Sequence, residues 1–207
     1  MIKIPLILCL VTLLSSALLM LSEEVTYEKI EEQKQWVLLN SLKQLIPDEL
    51  HDNNLIESTI SLNEPDALGL REVQSAYIGR LNGKLSVVAI PVTSRTGYSG
   101  DIDLMVGIKS NGEITAVKIL EQHETPGLGD LIEERKGDWL KQFPDKSLNN
   151  LSEQQWKVKR DGGDFDQITG ATITPRAVVA AIYQALKFFE ANKQKLESAS
   201  VSGENNE

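Results

Sequence analysis

Cysteine, histidine and basic residues are all scarce in this 207-residue chain, and each scarcity removes a class of function. The single cysteine, Cys9, leaves no partner for an intramolecular disulfide or a redox-active thiol pair, so electron chemistry would have to come from a bound group. Leu6-Ile7-Leu8 before it lacks the small residues of a lipoprotein cleavage site. His51 and His123 each stand alone, and the sequence offers neither a Ser-His-Asp set nor a cluster of metal ligands. Lys and Arg number 21 against 30 Asp and Glu, a formal net charge of −9. That balance argues against a nucleic-acid partner, because neutralising phosphates takes cations. What is present, 41% apolar and 25% charged residues, has the composition of a folded protein.

One long uncharged run exists, Ile4 to Leu21, about 18 residues and near the lower limit for a membrane-spanning helix. A cleaved signal peptide shares its short basic start and apolar core. Ser15-x-Ala17 is a poor cleavage site with Leu18-Leu19-Met20-Leu21 still to follow, which favours an uncleaved anchor over residues 1–21. Lys3 and the α-amino group precede the run and Ser22-Glu23-Glu24 follow it, so the remainder is expected on the periplasmic side. Without residues 1–21 the chain has 20 basic and 30 acidic residues, a formal −10.

Residues 22–47 read as a linking helix, with Ile30, Trp36, Val37, Leu38, Leu42, Leu45 and Ile46 near helical spacing and Pro47 as its stop. Two hairpins follow. Asn82-Gly83 separates Gln74–Leu81 from Lys84–Thr93, and Asn111-Gly112 separates Leu104–Lys109 from Glu113–Leu120, both between β-branched runs. The spacing predicts an antiparallel sheet. Gly97-Tyr98-Ser99-Gly100-Asp101 and His123-Glu124-Thr125-Pro126-Gly127-Leu128-Gly129 read as loops, Leu131–Phe143 as helical, and Trp156–Arg160 as a short strand. Val178, Val179, Ile182, Ala185, Leu186 and Phe189 mark one apolar face of a helix reaching about Lys193. The end of the chain is polar and acidic, and residues 196–207 are expected to be disordered.

The densest pattern is Asp166-Gln167-Ile168-Thr169-Gly170-Ala171-Thr172-Ile173-Thr174-Pro175. Pro175 suits the first helical position and Thr174 its N-cap, and a capped helix is the plain structural reading. A cap alone does not need Asp166, Thr169, Gly170, Ala171 and Thr172 as well. Gly170 and Ala171 remove bulk where another molecule comes close. A helix start is also a favourable place for a phosphate.

This stretch resembles the flavinylation motif of the FMN-binding domain family, Asp-x-x-(Ser/Thr)-Gly-Ala-(Thr/Ser)-x-Thr. In that motif the last Thr, here Thr174, carries FMN through a phosphoester bond. Over its whole length the chain is similar to the G subunits of bacterial Rnf (Rsx) electron-transport complexes, relatives of the C subunit of the sodium-translocating NADH:quinone oxidoreductase. The resemblance implies an α+β fold: a single N-terminal transmembrane helix, then a periplasmic FMN-binding domain over residues 48–195 with an antiparallel sheet and flanking helices. It implies covalent FMN on Thr174, with Asp166, Thr169, Gly170, Ala171 and Thr172 around it and Glu124, Thr125, Gly127 and Leu128 bordering the ring. It further implies a redox subunit of a bacterial inner-membrane translocase, partnered by the other subunits of that complex. A separate magnesium-dependent flavin transferase would attach FMN taken from FAD. A membrane-tethered module that binds flavin without a covalent bond, or acts only as a scaffold, is the alternative. A hydrolase using Thr174 would need a base, which the sequence does not reveal.

Overall fold

A computed structural model describes residues 8–16, 20, 26, 29, 36, 38–63 and 65–198. The chain divides into two units, Met1–Asn40 and Ser41–Glu207. In the first, every described residue is helical, and Leu8, Leu10, Val11, Leu13, Leu14 and Met20 expose their side chains. Among the described residues no helix is long and apolar enough to cross a membrane. Much of the 1–21 run expected as an anchor, and most of the 22–37 portion of the linking helix, lie outside the described residues.

The second unit is built on one meander of five antiparallel strands in chain order. They are β1 (Thr59–Ser61), β2 (Ser75–Leu81), β3 (Lys84–Ser94), β4 (Ile102–Lys109) and β5 (Ile114–Glu121). The β2–β3 hairpin closes as its sequence directs: Leu81 pairs with Lys84, and Asn82 and Gly83 both take positive φ, 53° and 75°. That is the turn whose twist matches paired strands. Asn111-Gly112 also turns the chain, but differently. Gly112 alone has positive φ, the Asn111 side chain accepts the Glu113 N–H at 3.0 Å, and β5 begins at Ile114 rather than Glu113.

Strand β3 is buried from Val87 to Ser94, without the alternation of a half-exposed strand, because the sheet is covered on both faces. On one face Val88, Ile90, Val92, Leu104, Val106 and Ile108 join a core with Val178, Ile182, Leu186 and Phe189 of a long helix, Ile173–Ser198. On the other, Gly107 makes room for the helical residues 41–45. A Cβ there would lie 2.6 Å from the Leu45 carbonyl oxygen, which accepts the Thr115 hydroxyl at 2.5 Å. Leu42, Leu45 and Ile46 are fully buried, and the helical segment stops before Pro47 as expected. Pro91 is tolerated inside β3 because the β2 pairing ends at Tyr77↔Ala89, which frees that edge of the strand from donating.

Three expectations need correction. Leu131–Phe143 is not a continuous helix but two 3₁₀ turns, Gly129–Ile132 and Trp139–Gln142, with Gly137 between them. Its apolar residues are used one turn at a time: Ile132, Leu140 and Phe143 are buried. Trp156–Arg160 forms only a bridge from Val158 to Phe165 before a 3₁₀ turn, Lys159–Asp161. The long helix starts at Ile173, one residue before the expected cap, and continues to Ser198 with Leu196 buried, past both Lys193 and the 195 boundary. Residues 199–207 of the expected tail lie outside the described residues.

Irregular as it is, the segment from 122 to 172 is firmly fastened. Phe143 stacks on Phe165 at 4.8 Å between ring centres, Phe165 meets Trp156 at 5.0 Å, and Trp156 meets Tyr183 of the long helix at 5.9 Å. This aromatic stack supplies the burial that regular hydrogen bonding does not.

Candidate functional site

Three loops meet at the start of the long helix and enclose a cavity of about 290 Å³. Its lining comes from the loop after β3 (Tyr98), the loop after β5 (Glu124, Thr125, Leu128, Gly129) and the run entering the helix (Gly170 to Thr174). The backbone of each contributor is fixed locally. Gly170 takes φ +83° in the tight turn from Ile168 to Ala171, where the Ala171 N–H donates to the Ile168 carbonyl at 3.1 Å. A side chain at Gly170 would also meet Leu128 Cδ2 at 2.9 Å, so this glycine serves both the turn and the cavity. Gly127 takes φ +76°, letting the 123–129 loop double back so that the Leu128 N–H reaches the Thr125 carbonyl at 3.1 Å.

At the floor lies a contact between residues 50 apart in sequence. The buried Thr174 hydroxyl donates to Glu124 Oε2, and Glu124 Oε1 accepts the Ser99 N–H at 2.9 Å. Thr174 therefore lies inside the first helical turn, and its hydroxyl is turned to Glu124 rather than to the helix amides an N-cap would serve. Pro175 remains compatible, since amides of the first turn have no intrahelical acceptor. The rim is apolar and open: Tyr98, Leu128 and Ile173 all expose much of their side chains.

Of the expected site residues, Thr174, Thr172, Ala171, Gly170, Glu124, Thr125 and Leu128 line the cavity, whereas Gly127, Thr169 and Asp166 do not. Thr169 is exposed on the turn. Asp166 points to solvent and pairs with Lys159 at 2.5 Å, while its backbone is clamped by Gln142 Oε1 and Trp139 Nε1, each at 2.7 Å. Tyr98, Gly129 and Ile173 line the cavity without having been singled out. Tyr98 had one available signal, a large aromatic in a loop of otherwise small residues. Also unforeseen is the contact of the Glu124 carboxylate with the Thr174 hydroxyl, a pairing visible only in three dimensions.

The FMN-binding domain family matches residues 97–187, a span that contains every lining residue. The G subunit of the ion-translocating oxidoreductase complex of Shewanella piezotolerans is 44% identical over 99% of this chain and 96% of its own length. The corresponding G subunit of Shewanella baltica is 44% identical over 100% of this chain and 97% of its own. The chain belongs to the family of G subunits of ion-translocating oxidoreductase complexes. The G subunit of Vibrio atlanticus is 42% identical over 94% of this chain and 92% of its own length. Among solved structures, NqrC of Shewanella oneidensis is similar with a TM-score of 0.47 at 22% identity, covering 73% of this chain and 74% of that one. For a G subunit with an FMN-binding domain, the cavity is the natural place to test against a flavin. The residues fit: an apolar rim suits an aromatic ring, Gly170 and Gly129 keep the walls clear, and Thr174 stands where helix amides favour an anion.

Proposed function

We propose that this chain is the electron-carrying flavin subunit of a membrane-bound ion-translocating oxidoreductase, holding FMN as a phosphoester on Thr174. The observation that carries the reading is the Thr174 hydroxyl at the floor of the cavity inside the FMN-binding span. Residues of this chain have three tasks there. Thr174 fixes the phosphate end at the helix start, where the dipole and free amides offset its charge. Gly170, Ala171 and Gly129 leave space beside it. Tyr98, Leu128 and Ile173 offer apolar surface to the ring and limit water around it. FMN when bound supplies the electron chemistry, which the lone Cys9 cannot.

Residues 1–21 are the single membrane anchor, 22–47 the link, 48–198, to the end of the long helix, the FMN-binding domain, and the remainder a polar tail. The exposed apolar side chains from Leu8 to Met20 suit a lipid surrounding, and the charge flanks orient the domain to the periplasm of the inner membrane. The partners are the other subunits of the complex and, for maturation, a flavin transferase that meets the chain at its solvent-facing Asp166. The experiment is direct. The chain, produced with the transferase, is denatured and run on a gel, and a fluorescent flavin band is expected. A dark band contradicts covalent attachment and leaves the non-covalent module as the function of this cavity.

A further inference from the structure

We propose that Glu124 is the base for flavin attachment, so that the acceptor protein itself carries the group that activates its threonine. The inference rests on the covalent reading above and adds a catalytic role that attachment at Thr174 does not require.

Glu124 is 5% exposed, and among the described residues no cation pairs with it. Burying a carboxylate without a counter-charge is costly, and a wall residue for an aromatic ring has no use for it. Its two oxygens are instead held by one amide and one hydroxyl: Oε1 by the Ser99 N–H at 2.9 Å, Oε2 by Thr174 Oγ1. Two glycine positions are shaped by this arrangement. A Cβ on Gly129 would lie 2.8 Å from Glu124 Cβ and 2.9 Å from both Oε2 and Thr174 Oγ1. One on Gly97 would lie 3.0 Å from Oε1. Gly100, with φ +135°, turns its carbonyl oxygen to within 2.2 Å of where that Gly97 Cβ would be, closing the loop that presents the Ser99 amide. The backbone of Glu124 is pinned as well, its N–H donating to Gln122 Oε1 at 2.5 Å. Room, orientation and burial all converge on one hydroxyl.

A threonine hydroxyl is a weak nucleophile at neutral pH and needs an adjacent base. Here Thr174 and Glu124 both line the cavity, so a phosphorus held there comes within reach of a hydroxyl whose proton is already directed at the carboxylate. The step balances without any oxidation or reduction. Thr174 Oγ1 attacks the flavin-side phosphorus of flavin adenine dinucleotide, and an O–P bond forms. The anhydride bond to the adenylate side breaks, and AMP leaves with that electron pair. The hydroxyl proton passes to Glu124 Oε2 and from there to solvent at the cavity mouth.

The test uses the purified full chain without flavin, the purified magnesium-dependent transferase and flavin adenine dinucleotide, with covalent flavin read on denaturing gels against time. Glu124→Gln, which keeps shape but cannot take the proton, should slow labelling by roughly 100-fold or more, the usual worth of a positioned base. Glu124→Asp should fall between the two. Unlabelled Glu124→Gln protein should compete with wild type for the transferase as well as Thr174→Ala does, which a misfolded site would not. Labelling of Glu124→Gln at the wild-type rate overturns the base role, as does slow labelling together with failure to compete. A wild-type chain that never labels contradicts covalent attachment instead, so the two failures are told apart.

Discussion

The motif entering the long helix has two unlike halves. Thr172, Ile173 and Thr174 turn into the cavity, with the Thr174 hydroxyl on a buried carboxylate. Asp166 and Thr169 face solvent, with Asp166 in a surface ion pair to Lys159. One short run thus serves two surfaces, divided at the Ile168–Ala171 turn. Side chains that hold a ligand must converge on an enclosed space, whereas side chains read by a second protein must stay accessible. The inner half suits the first task and the outer half the second.

The largest effect should come from the inner half. Thr174→Ala is expected to abolish covalent flavin outright. It also leaves Glu124 short of a donor, with a stability loss of about 1–3 kcal/mol by denaturant titration. Thr169→Ala, on the outer half, should retain the label. If Thr169→Ala loses it and Thr174→Ala keeps it, the division of the motif is wrong.

Gly129→Ala probes the inner half by volume. The added methyl would crowd Glu124 and Thr174 together, so we expect destabilisation of about 1–3 kcal/mol and slower labelling. Unchanged labelling and stability would mean that the close packing of those three residues is dispensable.

The readability of these two halves from sequence also differs. Asn82-Gly83 dictates its hairpin through its own backbone preferences, and β2 and β3 follow within a residue of expectation. The apolar stripe of the long helix is equally local, because helical spacing alone selects the buried face. Residues 122 to 172 obey no such rule. Their path is set by Gln142 and Trp139 gripping the backbone of Asp166, and by Phe143, Phe165 and Trp156 stacking together. Such partners lie far apart in the chain, so periodicity suggested a helix where 3₁₀ turns occur. Thr174 was legible as a special residue from its motif. Its carboxylate partner was not, because Glu124 lies 50 residues away and only the fold joins them.

Asp166→Ala tests the outer half and should separate stability from recognition. The Lys159 pair is exposed, so folding stability should change by less than about 1 kcal/mol. Labelling should nevertheless slow, with more protein needed for half-maximal rate. Normal labelling would remove Asp166 from the surface that the transferase reads.

The smallest effect concerns the bidentate pair between Asp161 and Arg176, Nε to Oδ2 at 2.5 Å, beside the helix start. The hydrogen bond from Arg176 holds the Asp161 carboxyl below the usual aspartate range. A lowered folded value means its stabilisation is present above the ordinary aspartate value and fades as pH falls through the lowered one. Arg176→Gln should therefore lower stability slightly at neutral pH, leave the low-pH end unchanged, and so flatten the acid side of the stability profile. A large loss at neutral pH would reveal a structural role beyond a surface pair.

Peptide mapping of the flavin-labelled protein bears most directly on the inner half. Trypsin should release Asp161–Arg176, whose hydroxyl residues are Thr169, Thr172 and Thr174. Fragmentation should find the mass of one FMN less one water on Thr174. The same mass on Thr169 or Thr172, or an unmodified peptide from protein matured with the transferase, would contradict attachment at the Glu124-bound hydroxyl.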